Sequence, residues 1–135
     1  MDNETIEDFA RYRLNKAKET LETAKMIFNE GKDFSSANNR AYYAIFYAIR
    51  AVLAIEEIDF KRHKDVLAYF NKEYVNKEKF PKMIGRKISQ AQRIREDSDY
   101  DDYETSFEKT EQQINTAQEL IGLVEEYINN YYKNN

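Results

Sequence analysis

Along the first thirty positions the apolar residues fall at steps of three and four: Ile6, Phe9, Ala10, Leu14, Ala17, Leu21, Ala24, Ile27 and Phe28. That period belongs to an amphipathic helix, and Gly31 stands where a helix C-terminus favours glycine, so a long helix is predicted from Glu4 to Glu30. A second is predicted from Ser35, as a serine cap, to about Ile55, with Ala41, Tyr42, Ile45, Phe46, Ile49, Val52 and Leu53 in one broad arc. Its other side is not the usual charged face, because it holds Asn39, Arg40, Tyr43, Ala44, Tyr47, Arg50, Ala51 and Ala54. Such a helix is either central in a bundle or covered on its second side by another subunit.

The pattern breaks from Glu56 to Arg62 and resumes as a shorter helix from about His63 to Phe70. An irregular stretch then leads to Pro81, which suits the first turn of a helix carrying Met83, Ile84, Ile88, Ala91 and Ile94. The run from Asp97 to Asp102 reads as a polar connector. Beyond it, Thr105-x-x-Glu108 forms a capping box for a last long helix marked by Phe107, Ile114, Ala117, Leu120, Ile121, Val124, Ile128 and Tyr131. No internal repeat or linker interrupts the chain, so the expectation is one all-α domain over residues 1–135.

Composition sharpens this picture. With 3 Gly, 1 Pro and no Cys among 135 residues, the tight turns of a many-stranded sandwich or barrel are excluded, as are a disulfide framework, a zinc–thiolate site and a thiol nucleophile. The start of the chain is acidic and polar, and no apolar run approaches the roughly 18 residues of a membrane span, so a cytoplasmic protein without membrane contact is expected.

The net charge of −4 argues against a general nucleic-acid coat, but it hides an uneven distribution. Residues 1–60 carry 8 basic and 11 acidic side chains, residues 61–95 carry 11 and 3, and residues 96–135 carry 2 and 11. The central cationic block either packs beside the acidic C-terminal helix, so that the fields cancel, or forms a local anion site.

Candidate chemistry gathers around that block. His63, the single histidine, lies within Lys61-Arg62-His63-Lys64, where flanking cations would lower its proton affinity and suit it as a neutral base or phosphate ligand; the alternative is a solvated histidine in a basic turn. On the second helix, Arg40, Tyr43, Tyr47 and Arg50 fall within about 80° of arc. Two guanidiniums there could grip phosphate oxygens while the phenols donate hydrogen bonds or stack on a base, although tyrosines four apart also serve as core packing.

Asp97-x-Asp99-x-Asp101 with Glu108 partly matches a calcium loop, yet Asp102 stands where the sharp turn needs glycine and Glu108 is already used as a cap. No metal or cofactor is expected. Phosphate loops, dinucleotide-binding glycine motifs and zinc-protease motifs are missing, and one histidine without a thiol or triad serine supplies no nucleophilic triad.

The run from Ser36 to Leu53, Ser-Ala-Asn-Asn-Arg-Ala-Tyr-Tyr-Ala-Ile-Phe-Tyr-Ala-Ile-Arg-Ala-Val-Leu, resembles the signature helix of the small prokaryotic HEPN-domain family. Lys61-x-His63-Lys64, Phe70 and Arg95-x-x-x-Asp99-Tyr100 resemble that family's later motifs, so the resemblance spans about residues 35–103. It implies an up-and-down helical bundle of about five helices, commonly a homodimer, often encoded beside a minimal nucleotidyltransferase in toxin–antitoxin-like pairs. It also implies contact with RNA or a nucleotide through Arg40, Tyr43, Tyr47, Arg50, Lys61, His63, Arg95, Asp99 and Tyr100.

Some branches of the superfamily are metal-independent endoribonucleases with an arginine followed four to six residues later by histidine. Here the positions after Arg95 are Tyr100, Asp101 and Asp102, so catalysis would have to use His63 carried near Arg95 or Arg50 by the fold. The competing reading is a non-catalytic helical subunit for protein interaction, whose polar stripe only builds the bundle.

Overall fold

The computed structural model describes residues 2–98 and 106–134. Helix α1 spans Asn3–Glu30, α2 Phe34–Ile55, α3 His63–Phe70, α4 Lys82–Ser98 and α5 Phe107–Asn134, and a π-helical turn, Asn71–Val75, continues α3. The structure is an all-α bundle. Ion pairs and hydrogen bonds fix the directions: Arg11 to Asn129, Lys18 to Glu125 and Lys25 to Gln118 run α1 antiparallel to α5. Arg13 donates to the Arg50 carbonyl at 3.1 Å, which sets α1 antiparallel to α2. Gln113 Nε2 donates to the Ala91 carbonyl at 3.0 Å and Lys87 pairs with Glu119 at 2.6 Å, which sets α4 antiparallel to α5.

The helix ends follow local chemistry. Gly31 closes α1 with φ of 70°, a conformation that costs glycine nothing. Asp33, not a serine, caps α2: its carboxylate accepts from the Ser36 N–H at 3.0 Å and from the Ser36 hydroxyl at 2.6 Å. A charged acceptor two residues before Ser35 wins over the neutral hydroxyl, and α2 therefore begins at Phe34. At α5 the hydroxyl of Ser106 accepts from the Lys109 N–H at 3.1 Å, so the cap falls one residue after the predicted Thr105, which itself lies outside the described residues. Pro81 stands immediately before α4, and that helix runs to Ser98, past the predicted start of the connector at Asp97.

Alanine organises the centre. In α1 the fully or nearly fully buried residues Ala10, Leu14, Ala17, Leu21 and Ala24 alternate at steps of four and three, and in α2 Ala37, Ala41, Ala44, Ala48 and Ala51 repeat the same spacing, each 0% exposed. Ala44 and Ala51 of this ladder lie on the side of α2 that the sequence leaves without a charged face, and Ala41 lies on its apolar arc. Small side chains let the backbones of α1 and α2 approach closely, and these two helices share the most extensive contact in the bundle. Tyr42, Ile45, Ile49, Val52 and Leu53 fill the other interior side, so α2 is central, the first of the two expected arrangements.

The first half of the stretch after Phe70 is a π-helical turn, and only residues 76–80 are the irregular lead to Pro81. The Asn76 N–H bonds to the Asn71 carbonyl at 2.8 Å, five residues back, which widens the helix by one residue per turn. The extra residue brings Val75 inward beside Tyr74, which stacks on Phe70 with ring centres 5.5 Å apart.

Candidate functional site

Three elements converge on one half-buried cluster. His63, the first residue of α3, lays its imidazole against the Phe46 ring of α2 with centroids 4.1 Å apart, and meets Tyr43 edge-on at 5.5 Å. Arg95, in the last turn of α4, sets its guanidinium 5.2 Å from the Tyr42 ring and 5.9 Å from the Tyr43 ring. Arg50 lies 5.7 Å from the Phe46 ring and Arg40 lies 5.0 Å from the Tyr43 ring. Aromatic faces hold the planar guanidiniums by their flat sides, and their edges carry the N–H donors with which arginine grips a carboxylate or a phosphate.

Residues far apart in sequence thus share one platform. Tyr47 adjoins it, with a ring 6.1 Å from Tyr43 and covered on its other approach by Lys16 of α1 at 5.2 Å. Lys61 does not join: it is exposed on the loop before α3. Asp99 and Tyr100 lie outside the described residues, as do Asp101 and Asp102 of the calcium-loop pattern. Among the described residues, no group of three or more histidine or acidic side chains gathers to hold a metal.

The electrostatics follow from this packing. Burial first, then the charges of Arg95 and Arg50, hold His63 below the ordinary imidazole value. The direction agrees with the sequence expectation, but the cause differs. The flanking cations point elsewhere, with Arg62 paired to Asp65 at 3.0 Å, while arginines from two other helices supply the field. Burial pushes the Tyr42 hydroxyl up to about 12 against the pull of Arg95, so Tyr42 stays a neutral phenol.

Two partners escape sequence reasoning. Asp59, in the segment where periodicity fails, accepts from Arg50 at 2.6 Å and lies 3.8 Å from Arg13 of α1. Burial opposes its ionisation, yet the Phe60 N–H, the Arg50 bond and the two guanidinium charges together hold its carboxyl below the usual range. Only its acidic character beside a basic block hinted at this role. Phe46, read as a core residue, is the floor under both His63 and Arg50.

The model of the HEPN domain matches residues 10–127, from the second turn of α1 into the last turns of α5. The chain belongs to the HEPN domain family. A UPF0332 protein of Thermotoga maritima is 32% identical to this HEPN domain over 123 residues, covering 90% of this chain and 92% of the relative. A Methanocaldococcus jannaschii protein named "Putative toxin MJ0605" is 30% identical over 119 residues, 88% of each chain. A second from that organism, named "Putative toxin MJ0142", is 35% identical over 89 residues, 65% of this chain and 59% of the relative. The signature-helix resemblance and the helical fold it implies therefore hold. No helix of the described residues is long and apolar enough to cross a membrane.

The depressed imidazole makes a pH prediction. The folded protein binds a proton at His63 less tightly than the unfolded chain, whose histidine titrates near 6.5, so stability is full above that pH and declines as the pH falls through it. Asp59 loses its contribution only below about pH 4, as its own carboxyl is protonated. Thermal unfolding followed across pH should show the decline that begins near 6.5 in the wild type and its loss in His63→Gln, with the acid limb retained. The same decline in both proteins would contradict the assignment.

Proposed function

We propose that this HEPN domain is the RNA- or nucleotide-binding component of a toxin–antitoxin pair, gripping phosphate with Arg50 and Arg95 around His63. The observation that carries the reading is the convergence of those three side chains, from α2, α4 and α3, on the Tyr43–Phe46 platform. Arg40, Tyr43 and Tyr47 extend it as a surface for a base, since every base offers a face for stacking. The toxin names of two relatives support the toxin role. The resemblance of the signature helix is what suggests a minimal nucleotidyltransferase as the cognate partner and a second copy of the chain as the dimer mate.

Asp59 occupies the anion position on Arg50 when no phosphate is bound, so ligand and carboxylate compete for one guanidinium. Arg50→Ala and Arg95→Ala should each weaken binding of a short single-stranded RNA about tenfold or more, the scale of a lost charge-assisted hydrogen bond. Asp59→Asn should strengthen it. Fluorescence anisotropy at about 50 mM salt, where phosphate contacts are strongest, checks all three, with thermal melts to confirm folding. Wild-type protein that ignores RNA and mononucleotides under those conditions would leave the protein-interaction reading in its place.

A second reading, cleavage, is favoured by the position of His63 beside two cations. In it the imidazole takes the proton of a ribose 2′-hydroxyl as that oxygen attacks phosphorus, the bond to the 5′ oxygen breaks, water protonates the departing oxygen, and arginine stabilises the charge on the phosphate. Activity should persist in EDTA, leave 2′,3′-cyclic ends and fall by a factor on the order of 10² in His63→Ala. Cleavage that EDTA abolishes, or that His63→Ala retains in full, would refute this reading.

A further inference from the structure

We infer that the groove between the π-helical turn and α4 is a second contact for RNA, taking the ribose-phosphate backbone of a strand held at the His63 cluster. The inference rests on the RNA reading above and adds a separate surface to it. The groove, of about 260 Å³, is lined by Asn71, Val75, Asn76, Lys82, Gly85 and Arg86. It holds two cations, two amides and no carboxylate.

Gly85 makes the close approach possible, because a Cβ there would come within 2.8 Å of Val75 Cγ1 and would push α4 off the π turn. Asn71 Oδ1 packs against the same glycine, 3.5 Å from where that Cβ would stand, and is sealed from solvent by the contact. What the groove offers a ligand is therefore its exposed cations, and a phosphate of the strand faces Lys82 and Arg86.

The cations around the groove are available for this. Lys82, Arg86 and Arg93 fall within about 40° of arc on the outer face of α4 and span roughly 16 Å of helix, about five nucleotides at the rise of one strand. All three are exposed, and among the described residues none of them pairs with a carboxylate. The block owes its surplus to this arrangement: Asp65 and Glu73, two of its three acids, are already neutralised by Arg62 and Lys77. His63 opens α3 and Asn71 follows its end, so about 12 Å of helix connects the cluster to the groove, with exposed Lys64 and Lys72 along the way.

Anisotropy with one single-stranded RNA across a salt series tests the groove. Lys82→Ala/Arg86→Ala should reduce RNA affinity about tenfold and lower the slope of log affinity against log salt by about 1.4, the value for two phosphates of a single strand. Its affinity for a mononucleotide held at the cluster should not change.

Melting temperatures should stay near wild type, and Lys82→Gln/Arg86→Gln, which keeps side-chain bulk, should repeat the loss. An unchanged slope in the double variant would overturn the groove while Arg50→Ala still tests the cluster. Loss in the groove variants with none in Arg50→Ala would overturn the cluster and keep the groove. A polyglutamate peptide that displaces RNA at equal charge would overturn it in favour of an acidic protein partner.

Discussion

Close packing of α1 on α2 through alanine is the constraint on which the remaining geometry depends. Ala37, Ala41, Ala44, Ala48 and Ala51 give α2 a flat, fully buried side, and α1 answers with Ala10, Ala17 and Ala24 between leucines. Interiors packed at crystal-like density tolerate little added volume, so a methyl at each of these positions fixes the separation and rotation of the two helices. Once α2 is held there, its next side must carry Tyr42, Phe46 and Ile49 toward α3 and α4, and the edge between buried and open surface falls at Arg40, Tyr43, Tyr47 and Arg50. The candidate site is that edge.

Its chemistry follows from being at an edge rather than in the core or in water. Guanidiniums laid on aromatic rings keep part of their hydration and lose freedom, and an imidazole between two of them stays neutral under conditions where a free histidine would begin to protonate. Asp59 is the anion that pairs with Arg50, and Arg13 from α1 ties that pair back to the alanine seam. Framework and site are thus coupled through one carboxylate.

Much of the fold is legible because local signals and burial agree. The three-four period from Ile6 to Phe28 with Gly31 beyond it marks α1 almost to the residue, and the change of pattern at His63 marks the start of α3. Periodicity is weaker where side chains are small: alanine carries little hydropathy contrast, so Ala44 and Ala51 of the ladder pass for part of a mixed polar face. The π turn was hidden for another reason, since Tyr74 continues the arc of Val66, Leu67 and Phe70 in an ordinary helix and only Val75 needs one added residue to face inward. Within the site, the arc of Arg40, Tyr43, Tyr47 and Arg50 can be computed from spacing alone. The meeting of His63 with Arg95 cannot, because it depends on how α3 and α4 lie against α2. Asp59 was invisible for the same reason, its role being set by a contact nine residues away in an unpatterned loop.

The most direct test of a phosphate site built around a neutral imidazole is an NMR titration of His63 with and without a mononucleotide. The account predicts a pKa below about 6.5 in the free protein that rises when nucleotide is added, because a bound phosphate offsets Arg50 and Arg95 and favours the imidazolium. An imidazole that titrates at the ordinary value, or one that saturating nucleotide leaves unmoved, would contradict it.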